Sequence, residues 1–451
     1  MSTISRIVKP LSGERVAALS PGDATPAATD WLRRPNLFAG RALTAATLEG
    51  RQRWQAGRIA ERGQAFSAGV VQGLELSQVI EPPVAPVAQQ LRLFIEPGQG
   101  LAASGEDVLL VRRMQCLLAD VPVVAPQAWF TAIKPGDPPI PDPLPGQAQP
   151  RAIGTALSAA LVTAGARMSR VGVLLLQPVT VDVSPIDPTD PCDRCGCDSD
   201  TAAFEDWRIG DGARLLWYPW PEEWLALPAS PLRLRNALAH LIFDAEAVLP
   251  DGEVLPWSEW GVPIALMALD PAAAVAVVTG LDPAFSDRAA VVRQGGRARE
   301  AWLAGTGTGT GKVLRADSRL PLVWQARIAQ FAEQIAELGE PLPPAAQLAD
   351  PFSRLPPVGL LPKEALNTVT WRSDFFPPNV TLDAVPLPIE QLDVAIREAA
   401  ALAPIDLSAP ERVRLLVPVS QASWEPRLLQ TDVIDPEFQQ TLGRFLLTRA
   451  R

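Results

Sequence analysis

The stretch best equipped for chemistry is Pro191-Cys192-Asp193-Arg194-Cys195-Gly196-Cys197-Asp198. Three thiols at C-x-x-C-x-C can converge on one ion, because Gly196 permits a tight turn that faces the side chains inward. Zinc takes four soft or borderline ligands, and thiolates at about 2.3 Å satisfy it. The fourth ligand is open: Cys116 is the only other cysteine and His240 the only histidine, with Asp198 and Asp200 as nearby carboxylates. A structural zinc held by Cys192, Cys195, Cys197 and Cys116 would staple a loop that has little core of its own. The same residues also read as a disulfide, as free thiols or as a redox pair, and the absence of a second C-x-x-C leaves these alternatives standing. Aspartates surround the knot, yet Asp198-x-Asp200-x-Ala202 lacks the third ligand of a calcium loop.

Other motifs carry less. The run from Gly305 to Lys312 has glycines at the wrong positions for a phosphate loop, and Val313 stands where a magnesium-binding hydroxyl belongs. A nucleophile–histidine pair would have to use His240, which lies in an apolar stretch and reads as a core residue. Neither G-x-S-x-G nor H-E-x-x-H occurs. Trp217-Tyr218-Pro219-Trp220-Pro221, with Trp224 beyond it, offers a carbohydrate platform on one reading and a packed corner on the other. An exposed cleft of tryptophans would favour the first, burial the second.

These residues need elements to hold them. The first is a helix from about Thr44, which can cap it, with Leu48, Trp54, Ile59 and Phe66 as large apolar groups and four arginines between them. Gly69 is expected to break it and feed an extended run through Val70, Val71, Leu74 and Leu76. Between Leu91 and Val124, Pro97-Gly98 and Ser104-Gly105 suggest turns of a hairpin array. A small-residue helix (Gly154 to Ala166), strands at Val171–Val183, Ala213–Tyr218 and Val262–Leu269, and a helix from Ser230 to Leu249, capped by Ser230 with Pro231 at its first position, follow. Trp324, Ile328, Phe331, Ile335 and Leu338 form one apolar stripe on a helix over 319–339. The C-terminal part predicts a helix Ile389–Leu402, a strand Arg412–Val417 and a final helix Pro436–Arg449.

The organisation predicted is α+β and multi-domain, with short β-rich units, several amphipathic helices and long proline-rich connections. The segments are an extended N-terminal arm (1–35), a helix plus β-rich domain (36–133), a proline-rich linker (134–151), an α+β middle domain with the cysteine knot (152–340) and a proline-rich C-terminal α+β region (341–451).

Three of these segments carry a resemblance. Gly40-Arg41-Ala42-Leu43-Thr44 opens a helix, Gly69-Val70-Val71-Gln72-Gly73-Leu74 a strand, and Pro97-Gly98-Gln99-Gly100-Leu101 with Gly105 a hairpin. Together they resemble a structural protein family encoded beside the baseplate genes of contractile injection systems and phage-like contractile tails. The resemblance spans roughly residues 36 to 125 and extends loosely into the cysteine-rich and proline-rich parts. It implies a non-enzymatic particle subunit at the baseplate or fibre attachment, with other baseplate, sheath or fibre subunits as partners and multiple copies per particle. The alternative is a carbohydrate-binding or fibre-adaptor module using the Trp217–Trp224 surface.

Bulk properties agree with a protein that is held rather than one that turns over. The 47 prolines are about twice the usual ~5% share, so regular elements should be short and connections long. Only Lys9, Lys134, Lys312 and Lys363 are lysines, leaving 40 − 4 = 36 arginines, whose planar heads suit interface ion pairs. The net charge of −10 argues against a general nucleic-acid binder. No secretory leader or apolar run of about 18 residues is seen, so the expectation is cytoplasmic synthesis, no membrane insertion and later assembly into a particle.

Overall fold

The computed structural model describes residues 44–63, 66–81, 90–126, 151–164, 168–183, 208–221, 232–249, 253–269, 283–296, 319–339, 342–362, 365, 374–419 and 444–449. The expected arm at 1–35 lies outside them, as does the expected linker except for Arg151. The architecture is α+β, built from several small sheets with helices against them.

Helix α1 (Ala45–Gly63) starts where expected: the Thr44 side-chain oxygen accepts from the Thr47 amide at 3.3 Å. It stops at Gly63, six residues before Gly69. The extended run after Gly69 is two strands, β1 (Gly69–Gly73) and β2 (Leu76–Glu81), because Leu74 takes a left-handed φ of 54° and turns the chain between them. Strands β3 (Gln90–Ile95), β4 (Gly98–Leu101), β5 (Asp107–Leu110) and β6 (Met114–Leu117) complete the unit. Ser104-Gly105 does close the β4–β5 hairpin, but Pro97-Gly98 does not close one. There the chain leaves the sheet β2-β3-β6 and enters the sheet β1-β4-β5. The unit is thus one three-stranded meander bent across the middle, with each long strand crossing a corner.

The central sheet has the order β12-β11-β9-β10-β7-β8. Its strands are β7 (Pro122–Pro126), β8 (Arg151–Ala156), β9 (Val171–Val183), β10 (Arg208–Pro219), β11 (Val262–Leu269) and β12 (Pro283–Asp287). Strand β7, from before the expected linker, pairs antiparallel with β8 after it and parallel with β10, so residues on both sides of that linker share a sheet. Helix α2 (Leu157–Ala164) follows β8, which already contains Gly154. Helix α3 (Leu234–Val248) begins after Arg233, so Ser230 is not its cap.

Both faces of the sheet are covered, so β9 and β10 read as apolar runs rather than alternating ones. Leu174, Leu176, Leu215 and Trp217 face the bent meander. Val173, Leu175, Leu216 and Tyr218 face α3 and α4 (Arg319–Ala336). Gly172 is required where it stands: an added Cβ would lie 2.3 Å from the Trp217 ring.

The C-terminal unit contains α5 (Ala345–Ala349), β13 (Arg354–Leu355), β14 (Val358–Pro362), β15 (Val380–Pro388), α6 (Leu392–Ala400), β16 (Ile405–Asp406), β17 (Glu411–Val419) and β18 (Arg444–Arg449). Its main sheet runs β14-β18-β17-β15, with β15 and β17 parallel and joined through α6. The final helix expected at Pro436–Arg449 is corrected here: residues 444–449 form a strand between β14 and β17. Two neighbouring strands satisfy its backbone on both edges, and that long-range pairing overrides a local helix-like pattern.

Helix α4 joins the parts. Val323 and Ala326 pack on the central sheet's helix side, Phe331 on one C-terminal cluster, and Trp324 and Ile328 on another. Its predicted stripe is only partly the buried one: Arg327, Gln330 and Gln334 are also buried.

Candidate functional site

Two of the three motifs behind the resemblance meet in space. β1 and β4 are antiparallel neighbours, with Gly69 opposite Leu101, Val70 opposite Gly100 and Gly73 opposite Gly98. Gly73 has a φ of +61°, and a Cβ on Gly98 would sit 2.3 Å from the Leu74 nitrogen. The Arg288 guanidinium donates to the Gly73 carbonyl at 2.7 Å and to that of Leu74. These residues shape a corner of backbone and present no reactive group. Gly40 to Leu43 lie outside the described residues.

Of the four expected zinc ligands, Cys192, Cys195 and Cys197 lie outside the described residues. Cys116 sits on β6 opposite Leu93, half-buried and without a disulfide partner among the described residues. Burial, and then the Asp120 charge, push its thiol pKa up to about 11, against a smaller opposing pull from Arg92. Left to itself it is a protonated thiol at neutral pH, and a metal would have to displace that proton. Among the described residues no group of three histidines, cysteines or carboxylates stands close enough to hold a metal.

The other candidate ligand, His240, lies on the far side of the central sheet. It is 2% exposed on α3, edge-on to Phe243 with ring centroids 5.8 Å apart. Burial first, then the charges of Arg327 and Arg354, bring its pKa down to about 3, so the imidazole is neutral. The Arg354 backbone hydrogen-bonds the ring, while Nδ1 has no partner among the described residues. Cys116 packs with the meander-side core and His240 with the helix side, so they do not join in one site.

Of the two readings of the described tryptophans, the packed corner is the one seen. Trp217 is fully buried, Trp220 2% exposed and Trp257 1% exposed. Trp220 and Tyr218 both pack against Trp257, with centroids 6.3 and 6.4 Å apart. Their faces are spent on one another and on the core, so they leave no surface for a sugar to stack on. Trp207 and Trp224 lie outside the described residues.

What the sequence did not reveal is a buried polar seam between α3, α4 and β12. Asp287, fully buried, accepts from Arg235 Nε at 2.8 Å, Gln330 Nε2 at 3.0 Å and the Ala290 amide at 2.9 Å. Arg235 also pairs with Glu337. Arg293 pairs with Glu246 at 2.7 Å, both side chains about nine-tenths buried, and donates to the carbonyls of Ala289, Ala290 and Val292. Arg327 and Arg354 share Asp244, at 3.0 and 2.6 Å. Only the excess of arginine over lysine hinted at this, since a guanidinium fork can serve two acceptors at once.

Beside the seam, between α3 and the C-terminal unit, lies a cleft of about 770 Å³, within the ~300–1,000 Å³ range of ligand sites. Its lining includes His240, Asp350, Arg354, Asp374, Phe376 and Asp406. This is the candidate functional site among the described residues, because it combines an apolar wall with converging polar groups. Asn236 fastens its edge: the side-chain oxygen accepts from the amides of Ser353 and Arg354 at 3.0 and 3.1 Å. No described helix is long and apolar enough to cross a membrane. No protein-family model matches the chain, and no curated protein matches it.

Proposed function

We propose that the chain is a non-enzymatic structural subunit of a contractile, phage-tail-like particle, placed at the baseplate or fibre attachment. Other baseplate, sheath or fibre subunits are its partners, in multiple copies per particle, after synthesis in the cytoplasm. The observation that carries this reading is the pairing of the two resembling glycine motifs as adjacent strands β1 and β4. Their glycines serve close backbone approach, which is what a building block asks of them. The buried single histidine and the buried tryptophans support the same reading over catalysis or glycan binding.

The test is the composition of intact contractile tails purified from the producing cell. Mass spectrometry should find the chain in fixed stoichiometry with baseplate proteins. Its consistent absence from such tails, or turnover of a small molecule by the isolated chain, overturns the proposal.

In this reading the cysteine knot is structural, with zinc held by Cys192, Cys195 and Cys197 and completed by Cys116. Elemental analysis should then give about one zinc per chain. A metal-free protein whose stability is unchanged by Cys195→Ser removes the zinc.

A further inference from the structure

We propose that the cleft between α3 and the C-terminal unit receives an arginine or lysine side chain carried on an extended segment of a partner subunit. Charge and shape both point to such a guest. Asp350 and Asp374 are exposed at the cleft, and among the described residues neither carboxylate has a hydrogen-bond or ion-pair partner. The cations nearby are differently placed. Arg354 is paired with Asp244 at 2.6 Å, and Arg233 donates through Nε to the Asp350 carbonyl at 3.1 Å. Asp406 is occupied by the Ser408 hydroxyl at 2.6 Å and amide at 2.9 Å. Among the described residues the unmet demand is therefore for a donor and a positive charge.

The inner wall adds a second, independent demand. His240 lines the cleft, is 2% exposed, and has no partner for Nδ1 among the described residues. A buried polar atom without a partner is costly, and with the ring neutral and its other nitrogen bonded to the Arg354 backbone, Nδ1 is left as an acceptor. Phe375, Phe376 and Pro377 supply an apolar side against which the aliphatic stem of a long basic residue can lie. The chain itself stacks guanidinium groups on rings, as with Arg113 over Phe94 at 4.2 Å. The cleft's volume exceeds the needs of one side chain, leaving room for the flanking backbone.

The choice of a peptide rather than a free cation rests on the assembly role proposed above. The experiment separates the two. The full chain is titrated with a labelled, end-blocked pentapeptide Ala-Pro-Arg-Pro-Ala, with the same peptide carrying citrulline for arginine, and with free arginine as competitor. Saturable binding of the arginine peptide is expected, weakened roughly tenfold or more by citrulline and by the double change Asp350→Asn/Asp374→Asn. Asp393→Asn, on α6 and away from the cleft, should leave binding unchanged. Equal binding of both peptides, or no saturation at millimolar peptide, overturns the proposal. So does free arginine competing as well as the peptide, which would make the ligand a small cation. The two-peptide comparison needs no variant, so a folding defect in the double change does not blunt it. Peptide binding by a chain that is missing from tails would keep the cleft and sink the assembly role; the converse result would do the opposite.

Discussion

The two faces of the central sheet are built on different principles. The meander side is apolar and close-packed: Leu93, Ile95, Val108, Leu174 and Trp217 are all fully buried there. The helix side mixes an apolar layer with a seam of buried charges, in which Asp287, Arg235, Arg293 and Glu246 meet. Apolar packing tolerates many exchanges of similar volume. A buried ion pair tolerates almost none, because removing one partner strands the other in a low-dielectric interior. The helix side should therefore define how α3, α4 and the C-terminal unit sit together, while the meander side supplies bulk cohesion.

Four changes test this contrast. Asp287→Ala should have the largest effect, a loss of about 3–5 kcal/mol in urea unfolding, because Arg235, Gln330 and the Ala290 amide each lose an acceptor inside a buried seam. Leu93→Ala on the meander side should cost about 2–5 kcal/mol through its cavity, with no added pH dependence. If Asp287→Ala proves milder than Leu93→Ala, the seam is not what locks the helix side.

The third test is acid sensitivity. The pKa of His240 is lowered from an ordinary 6.5 to about 3 on folding. The unfolded chain thus takes up the proton first, and stability should fall as pH drops from about 6.5 towards 3. His240→Gln should flatten that part of the acid limb, measured as the unfolding midpoint against pH. An unchanged acid limb would mean that the imidazole is not held neutral. The smallest effect is expected from Thr44→Ala, which removes the cap of α1 and should cost that helix about 0.5–2 kcal/mol. Leu48 and Ile59 on α1 are 47% and 62% exposed, so the loss should appear as faster amide exchange within α1 while global unfolding stays put.

Legibility followed the range of the interactions involved. Strands β9 and β11 were readable to the residue, because a run of Val and Leu bounded by breakers has few other uses. The Thr44 cap was readable because its hydrogen bond spans three residues. The bend at Pro97-Gly98 was not, since a proline–glycine turn looks the same whether the next strand pairs back or crosses to another sheet. Residues 444–449 were misread because their partners, β14 and β17, are far away in sequence. The candidate cleft left no local trace, its lining being gathered from α3, α5, the turn before β15 and the turn after β16.

Composition and local pattern by themselves determined the α+β class, strands β9 and β11, the start of the first helix and the Ser104-Gly105 turn. Those follow from preferences of a few neighbouring residues for one backbone shape. Which carboxylate each arginine would meet, which tryptophans would be sealed inside, and that a lone histidine would end beside a charged cleft were decided only in three dimensions. Each depends on groups far apart in the sequence, 110 residues in the case of Arg354 and Asp244, sharing one low-dielectric space.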